Sequence, residues 1–262
     1  MPNHKFEELK IYLQELGKQG LCLAFSGGID SLLLLYLCKD LNIIAATIKS
    51  EFQTEDEINF TKDICNNWNI KQIILNTAIL QDPLVMNNPK DRCYHCKKNM
   101  FEKFIDAANQ NNCKYLIDGT NFDDLKEYRP GKKALLELGI ISPFAKFQIT
   151  KKEIREYAKE LGLPFYNKPS TPCLATRFPY GTTLTAENLK IVEKAETILK
   201  NTGVNECRVR LHGDIARIEI PTEQFQTFLD NKSAITKSLK SLGIRYITLD
   251  IEGLRRGSMD LP

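Results

Sequence analysis

Short apolar runs alternate with helical patterns over the first 165 residues of the chain. Because a strand covered by helices on both faces is apolar along its length, these runs predict buried parallel strands. Helical stretches lie between and after them, and two begin with capping boxes, Thr54 with Glu57 and Thr150 with Glu153. The alternation predicts an α/β fold with a doubly wound parallel sheet. The predicted strands are 21–25, 43–48, 70–75 and 114–118.

The pattern changes after residue 165. Residues 166–185 are rich in proline and threonine, and a loop of that length in a compact domain is usually functional. Residues 186–262 predict an amphipathic helix, two strands joined by a turn, further helices and a last strand. We therefore expect an α/β domain at 1–165, a functional loop at 166–185 and a small α+β domain at 186–262.

Composition is that of an ordinary globular protein and excludes several classes. Apolar residues make up 42% and charged residues 26% of the chain, which excludes a disordered or fibrous protein. No apolar run approaches the ~20 residues of a membrane helix, and the first residues lack an apolar signal core, so we expect a cytoplasmic location. The net charge of +3 is too small to indicate a nucleic-acid or membrane partner.

The first strand leads into Ser-Gly-Gly-Ile-Asp-Ser at 26–31, which precedes an apolar helix. Small residues let backbone N–H groups converge there, and the helix N-terminus adds positive charge, so the segment favours an anion. Neither GxxxxGK[ST] nor GxGxxG is present, so the backbone and the hydroxyls of Ser26 and Ser31 would hold phosphates. Asp30 could hold a magnesium ion bound to those phosphates. The alternative is a glycine-rich turn with no ligand.

This string resembles the PP-loop, SGGxDS, of the ATP pyrophosphatase superfamily. Those enzymes cleave ATP between the α- and β-phosphates, adenylylate an acid or carbonyl oxygen and release pyrophosphate. The resemblance implies the adenine nucleotide α-hydrolase-like fold, with the loop gripping the pyrophosphate portion of ATP. It also implies a set of nucleotide-binding residues on the loop and at neighbouring strand ends. They are Ala24, Phe25, Ser26, Gly27, Gly28, Ile29, Asp30, Ser31, Ile48 and Gly119.

Three of the eight cysteines lie where thiol chemistry is plausible. Cys93 and Cys96 form a CxxC motif just before a predicted helix, where the helix N-terminus and nearby cations favour thiolates. Cys173 lies in the proline-rich loop, close to Arg177. Without an export signal, a disulfide framework is not expected. The remaining cysteines are expected to be core residues, namely Cys22, Cys38, Cys65, Cys113 and Cys207.

The residues alone leave four uses of these three thiols open. They could bind a four-iron cluster with one iron left open. They could bind zinc, with His95 or His212 as a fourth ligand. The CxxC motif could be a redox disulfide, or the cysteines could have no chemical role.

Further motifs, in order along the chain, extend the resemblance over nearly its whole length. Together they resemble the LarE family, sulfurtransferases that build the nickel-pincer nucleotide cofactor of lactate racemase and related enzymes. The resemblance implies adenylylation of each carboxylate of pyridinium-3,5-biscarboxylic acid mononucleotide and its conversion to a thiocarboxylate. The motifs are RCYHCK at 92–97, DGTNFDD at 118–124, YRPG at 128–131, SPF at 142–144, CLATRFPYG at 173–181, VRLHG at 209–213, ARIE at 216–219 and GLRRGSM at 253–259.

The resemblance implies two alternative roles for the cysteines. In one variant of the family, the cysteine at the position of Cys173 gives up its own sulfur and becomes dehydroalanine. In the other, it joins the CxxC pair to bind a 4Fe–4S cluster whose open iron is thought to carry an extra sulfide. Because Cys93, Cys96 and Cys173 are all present, the cluster variant is expected here, although Thr176 replaces the serine of the common CLASR pattern.

The resemblance also implies roles for charged residues in the second half of the chain. Glu196 corresponds to an acidic active-site residue, with Glu193 as the alternative. Arg208 and Arg255 correspond to arginines that hold the substrate phosphate. Arg177 is the better-placed local candidate because it follows Cys173 closely, and we expect it to be catalytic together with Cys173, Asp30 and Glu196. The implied cofactors and substrates are ATP, Mg²⁺ and the 4Fe–4S cluster.

The implied partners are a small-molecule nucleotide, further copies of the chain and a sulfur donor. Oligomerisation is expected to involve the domain at 186–262. A PP-loop enzyme of tRNA thiolation is the nearest alternative, but the chain carries no recognisable RNA-binding motif. An amide-forming synthetase is a second alternative, but it would not need three positioned cysteines. A non-enzymatic scaffold that binds a nucleotide and a metal is a third alternative, which the absence of ATP-to-AMP turnover would indicate.

Overall fold

The computed structural model describes residues 2–126, 131–169, 172–255 and 257–259. Most of the YRPG motif at 128–131 and Arg256 of the last motif therefore lie outside the described residues. The chain forms two compact units, one made of 1–79 with 91–171 and the other of 80–90 with 172–262.

Seven strands and twelve helices are found in the described residues. The strands are β1 Leu21–Ala24, β2 Ile43–Lys49, β3 Lys71–Asn76, β4 Tyr115–Ile117, β5 Arg208–His212, β6 Ile215–Glu219 and β7 Tyr246–Leu249. The helices are α1 Pro2–Gly17, α2 Ile29–Cys38, α3 Glu55–Asn67, α4 Pro83–Met86, α5 Arg92–Gln110, α6 Phe122–Lys126, α7 Gly131–Glu137, α8 Pro143–Lys146, α9 Lys151–Glu160, α10 Ala186–Asn201, α11 Phe225–Asp230 and α12 Lys232–Ser241.

The first unit is built on a parallel sheet with strand order β3-β2-β1-β4. From β1 the chain adds β2 and then β3 on one side of the sheet. It then returns and adds β4 on the other side of β1. The carboxyl ends of β1 and β4 therefore form a topological switch point, where open α/β sheets bind ligands. This confirms the doubly wound parallel sheet, with strands close to the predicted positions.

Side chains alternate between two cores on opposite faces of this sheet. Leu23 of β1 packs in a core with Phe6 of α1 and Ile154 of α9. Cys22, the preceding residue, packs in a second core with Phe101 of α5. Because both faces are covered, the central strands are apolar along their length, which is the pattern seen in the sequence.

The second unit contains a three-stranded sheet of order β5-β6-β7. β5 and β6 are antiparallel, and β6 and β7 are parallel. Side chains of three helices form a hydrophobic core with this sheet, for example Leu199 of α10, Phe228 of α11 and Leu239 of α12. This is the small α+β arrangement that the sequence predicts.

Two local features differ from the sequence interpretation. Helix α5 begins at Arg92, so Cys93 and Cys96 lie inside its first turn and not before it. The proline-rich segment contains a 3-10 helix, Leu174–Arg177.

Residues 80–90 belong to the second unit. The carbonyls of Met86 and Asn88 accept backbone hydrogen bonds from residues 184 and 181, and no local sequence pattern predicts this long-range pairing. Within the described ranges, no helix is both long and apolar enough to cross a membrane.

The capping box at the start of α9 should contribute measurably to stability. Thr150 Oγ1 accepts a hydrogen bond from the Glu153 N–H, and Glu153 accepts one from the Thr150 N–H at 2.7 Å. Thr150→Ala removes the first of these bonds, and we expect it to lower the free energy of unfolding by about 1 kcal/mol. Urea denaturation measures this loss. Asn109→Ala, at an exposed position of α5, is the control and should stay within about 0.5 kcal/mol.

Candidate active site

The glycine loop starts from a fixed point at the end of β1. The Phe25 N–H donates to the carbonyl of Ala46 at 2.8 Å, and the Thr47 hydroxyl donates to the Phe25 carbonyl at 2.9 Å. The Phe25 side chain is buried in the core. Backbone and side chain together therefore fix where the loop leaves the sheet.

The loop itself is shaped by glycine and serine. Gly27 has a φ of +71°, which favours glycine, and a Cβ there would lie 3.0 Å from a Thr61 methyl carbon. Ser26 Oγ lies 3.2 Å from Ser31 Oγ and accepts from the Gly28 N–H at 3.4 Å. Gly28 is the N-cap of α2 and has no side chain to cap it, so the first-turn N–H groups can meet an anion.

Gly119 lies where the loop after β4 touches the start of α2. A Cβ at this position would lie 2.9 Å from the Ser31 backbone nitrogen and 3.2 Å from the Asp30 Cβ. No larger residue fits without a backbone shift. Close packing therefore explains why glycine occupies position 119, which was predicted to bind the nucleotide. The absence of a side chain lets the loop after β4 pack against the glycine loop.

The Asp118 carboxylate fixes the loop after β4. It accepts hydrogen bonds from the hydroxyls of Thr120 and Ser142. Asn121 Oδ1 caps α6 by accepting from the N–H groups of residues 123 and 124. The DGTNFDD and SPF motifs therefore shape the backbone beside the glycine loop.

Asp30 is paired on one oxygen only. Its Oδ2 accepts from Lys151 Nζ at 2.6 Å, whereas its buried Oδ1 has no hydrogen-bond partner among the described residues. Burial raises the pKa of Asp30, and Lys151 opposes that shift. An unpartnered buried carboxylate oxygen is costly, so Oδ1 fits the predicted magnesium ligand.

Lys168 was missed by the sequence interpretation. Its Nζ donates to the Gly27 carbonyl at 2.9 Å and lies 3.2 Å from the centroid of the Phe60 ring. Burial lowers the pKa of Lys168 to about 8. The glycine loop carries no lysine of its own, and no local motif indicates that one reaches it from a position far along the chain.

The CxxC motif occupies the first turn of α5, in the first unit. Cys93 and Cys96 are three residues apart, so they lie on one helix face. Arg92 is buried, and its Nη2 lies 3.5 Å from the Cys93 sulfur. The exposed Cys93 therefore lies beside a guanidinium group and near a helix N-terminus, as the sequence suggested.

Cys173 lies at the N-cap of the 3-10 helix, in the second unit, and is exposed. The turn is held by the buried Arg177, whose Nη1 donates to the Pro172 carbonyl at 3.0 Å and to Thr176 Oγ1 at 3.1 Å. The Thr176 hydroxyl donates to the Cys173 carbonyl at 2.8 Å. Threonine therefore supplies the hydroxyl at the position where the family pattern has serine.

Glu196 forms a buried, two-bond ion pair with Arg177. The two hydrogen bonds measure 2.8 Å and 3.0 Å, and Glu196 also accepts from the Val209 N–H at 3.0 Å. Such a fork fixes orientation, and removing one partner would leave a buried charge unpaired. This geometry gives Glu196 a positioning function, while its role as an acidic active-site residue stays a prediction. Glu193, the alternative, is half-buried one turn earlier.

Arg210 and Glu219 form a second buried pair that the sequence interpretation missed. Arg210 binds Glu219 Oε2 through Nε at 3.1 Å and Nη2 at 2.9 Å. Its Nη1 donates to the Thr176 carbonyl at 2.7 Å, and the Ser258 hydroxyl donates to Glu219. The pair therefore ties β5 and β6 to the turn that carries Cys173. Both residues lie in the VRLHG and ARIE motifs, which was the available signal.

The two arginines expected to hold a phosphate differ in their pairing. Arg255 binds Asp250 at 2.8 Å and also Glu252. Arg208 donates to the Arg255 carbonyl at 3.1 Å, and no described carboxylate lies within 4.0 Å of its guanidinium nitrogens. Burial and the neighbouring arginines lower the pKa of Arg208, so an anion there would be stabilised.

The structure does not test the metal assignments. Cys93 and Cys96 belong to the first unit and Cys173 to the second. Among the described residues, no three His, Cys, Asp or Glu side chains are grouped so that they could hold a metal ion. The 4Fe–4S cluster and the zinc alternative with His95 or His212 both stay predictions.

Comparisons with known proteins match the first unit to a family and to a fold. The NAD synthase family model matches residues 2–121. The NMN synthetase of Francisella tularensis superposes with a TM-score of 0.52, covering 65% of this chain and 76% of that chain. At 16% identity this likeness shows the fold alone.

Two relatives match over most of their length. An uncharacterized protein of Synechocystis is 37% identical over 265 residues, or 99% of this chain and 98% of that protein. The pyridinium-3,5-bisthiocarboxylic acid mononucleotide synthase of Lactiplantibacillus plantarum is 37% identical over 246 residues, or 92% of this chain and 89% of that enzyme. Similarity of this extent includes the nucleotide-binding part and the small α+β unit together, and the chain belongs to the LarE family of PP-loop proteins.

Proposed function

We propose that the protein uses ATP to convert the two carboxylates of pyridinium-3,5-biscarboxylic acid mononucleotide into thiocarboxylates. The observation that carries the proposal is the presence, in one chain, of an anion-binding glycine loop and an exposed cysteine on a turn fixed by arginines. The name of the Lactiplantibacillus relative, a bisthiocarboxylic acid mononucleotide synthase, supports the same chemistry.

The chemistry explains why ATP is needed. A carboxylate is a poor acceptor for sulfur because it has no good leaving group. In the first step, a carboxylate oxygen attacks the α-phosphorus of ATP, and the bond to the β-phosphate oxygen breaks. Pyrophosphate leaves, and the N–H groups around Gly27 and Gly28 with the start of α2 would stabilise its charge.

Asp30 is the residue suited to hold Mg²⁺ in this step. Its unpartnered Oδ1 is the available ligand atom, while Lys151 holds Oδ2 in place. When bound, Mg²⁺ would neutralise phosphate charge. Asp30 must be ionised to bind the cation, and burial makes ionisation harder.

The second step transfers sulfur to the acyl adenylate. A sulfur nucleophile attacks the acyl carbon, a C–S bond forms, and the C–O bond to AMP breaks. The turn of Arg177 and Thr176 would hold Cys173 in place for this step, and Arg208 would bind the phosphate of the mononucleotide. One cycle serves one carboxylate, so two cycles complete the product.

The proposed source of sulfur is a 4Fe–4S cluster bound by Cys93, Cys96 and Cys173. The exposed Cys93 beside Arg92, the half-buried Cys96 near the same helix N-terminus and the exposed Cys173 are suitable donors for such a cluster. When bound, it would supply an open iron that carries the sulfide. In the alternative, Cys173 would give up its own sulfur once and become dehydroalanine.

Iron content distinguishes these two sources of sulfur. We expect anaerobically purified protein to hold about four irons and as many acid-labile sulfides per chain, with a broad absorption band near roughly 400 nm. Cys93→Ser, Cys96→Ser and Cys173→Ser should each lower iron content strongly. Cys65→Ala, at a buried cysteine of α3, is the control and should keep its iron. Iron-free protein whose Cys173 loses hydrogen sulfide during turnover would support the sacrificial reaction instead.

Cys173→Ser should separate the two chemical steps. We expect thiocarboxylate formation to fall by at least about 100-fold because the thiol is lost, while pyrophosphate release from ATP and substrate continues in part. Mass spectrometry of the product and a pyrophosphate assay measure the two steps. If pyrophosphate release is abolished as well, the proposed separation of roles is wrong.

Asp30→Asn should impair the first step. Loss of the carboxylate charge that would hold Mg²⁺ should lower AMP and pyrophosphate formation by about 100-fold or more. Because the pKa of Asp30 is raised, wild-type activity should fall as the pH drops through that raised value. Asp40→Asn, at an exposed position beyond α2, is the control and should behave as wild type. An unchanged rate in Asp30→Asn would exclude this role.

A further inference from the structure

We propose that Lys168 is a phosphate-binding residue that contacts the pyrophosphate portion of ATP at the glycine loop. The inference rests on the proposed use of ATP but not on the sulfur chemistry. It assigns to the loop a cation that arrives from the proline-rich segment of the chain.

The first observation is that Lys168 is positioned on the loop. Its Nζ donates to the Gly27 carbonyl at 2.9 Å. Phe60 of α3 lies below both groups, since its ring centroid is 3.2 Å from Nζ and its ring edge would lie 3.3 Å from a Cβ at Gly27. The ammonium group therefore lies at the turn with positive φ that shapes the anion-binding loop.

The second observation is that the backbone of this segment is held in place. Arg155 of α9 donates to the carbonyls of Tyr166 and Lys168, both at 2.8 Å. The Lys168 N–H donates to the Phe165 carbonyl at 2.9 Å. Lys168 thus reaches Gly27 from a braced segment, which lowers the entropy cost of placing its charge there.

The third observation is that Lys168 has no closely paired carboxylate among the described residues. No described carboxylate lies within 4.0 Å of its Nζ. Glu57 of α3 raises the pKa of Lys168 by less than burial lowers it, and the Glu57 carboxylate accepts a hydrogen bond from the Thr54 N–H. Burial lowers the pKa of Lys168 to about 8, so an anion bound beside it would stabilise its charged form.

Lys151 is the informative comparison within the same unit. It also reaches the loop region from outside, but its ammonium group is paired with Asp30 at 2.6 Å. Lys168 uses one of its three N–H donors on Gly27, and two remain for an anion. A phosphate at the α2 N-terminus would supply the missing negative charge, and a neutral ligand would not.

Binding measurements with two nucleotides test the inference. The probes are α,β-methylene-ATP with Mg²⁺, which cannot be cleaved at the relevant bond, and AMP, which lacks the pyrophosphate portion. We expect Lys168→Met to weaken binding of α,β-methylene-ATP by about 10- to 100-fold and to change AMP binding by less than about twofold. Lys168→Arg should restore most of the lost affinity. Isothermal titration calorimetry on the full chain gives these constants.

Lys152 of α9 provides a control with the same charge. Lys152→Met removes the same charge from an exposed side chain of α9 and should leave both affinities unchanged. The inference is wrong if Lys168→Met binds α,β-methylene-ATP as wild type does. It is also wrong if both nucleotides are weakened equally, because that pattern indicates a structural role for Lys168. If wild-type protein fails to bind α,β-methylene-ATP, the proposed use of ATP fails together with it.

Discussion

The proposed nucleotide site depends on one close contact, between Gly119 and the first turn of α2. A Cβ on Gly119 would come within 2.9 Å of the Ser31 nitrogen, so the loop after β4 and the first turn of α2 approach as closely as their backbones allow. The glycine loop between β1 and α2 must expose its N–H groups to a ligand, yet it must stay rigid without a ligand. Close packing of α2 against the β4 loop, together with the hydrogen bonds of Phe25, provides that rigidity.

A second constraint is the pairing of buried charge. An arginine in the interior is tolerated when a carboxylate binds it, and Arg177 with Glu196 and Arg210 with Glu219 meet that condition. These forks fix the turn that carries Cys173, and the planar two-bond geometry suits that purpose better than a lysine would. Their guanidinium groups are therefore occupied, which makes them scaffold for the cysteine.

The sequence predicted local features well and long-range pairings poorly. Strand positions followed from apolar runs, and the capping boxes at Thr54 and Thr150 formed as expected because each is complete within four residues. The glycine loop was recognised because its residues are contiguous. Lys168 was missed as a site residue because its partner Gly27 lies 141 positions away in the chain. Arg210 was missed although Glu219 is only nine positions away and both residues lie in motifs, because neither motif shows that the two side chains pair. Only the folded backbone brings Lys168 to Gly27, and periodicity carries no information about such distances.

The same charge argument separates residues that shape a site from residues that bind a ligand. Arg177, Arg210 and Lys151 each have a carboxylate partner, whereas no described carboxylate pairs with Arg208 or Lys168. Arg255 also has a carboxylate partner, and its role as a phosphate ligand stays a prediction. Arg208 and Lys168 lie in different units, and in both cases burial lowers the pKa. The proposed reaction brings two phosphate-bearing molecules to the protein, ATP and the mononucleotide. We therefore propose that these two incompletely neutralised cations mark two phosphate sites, one at the glycine loop and one at the start of β5.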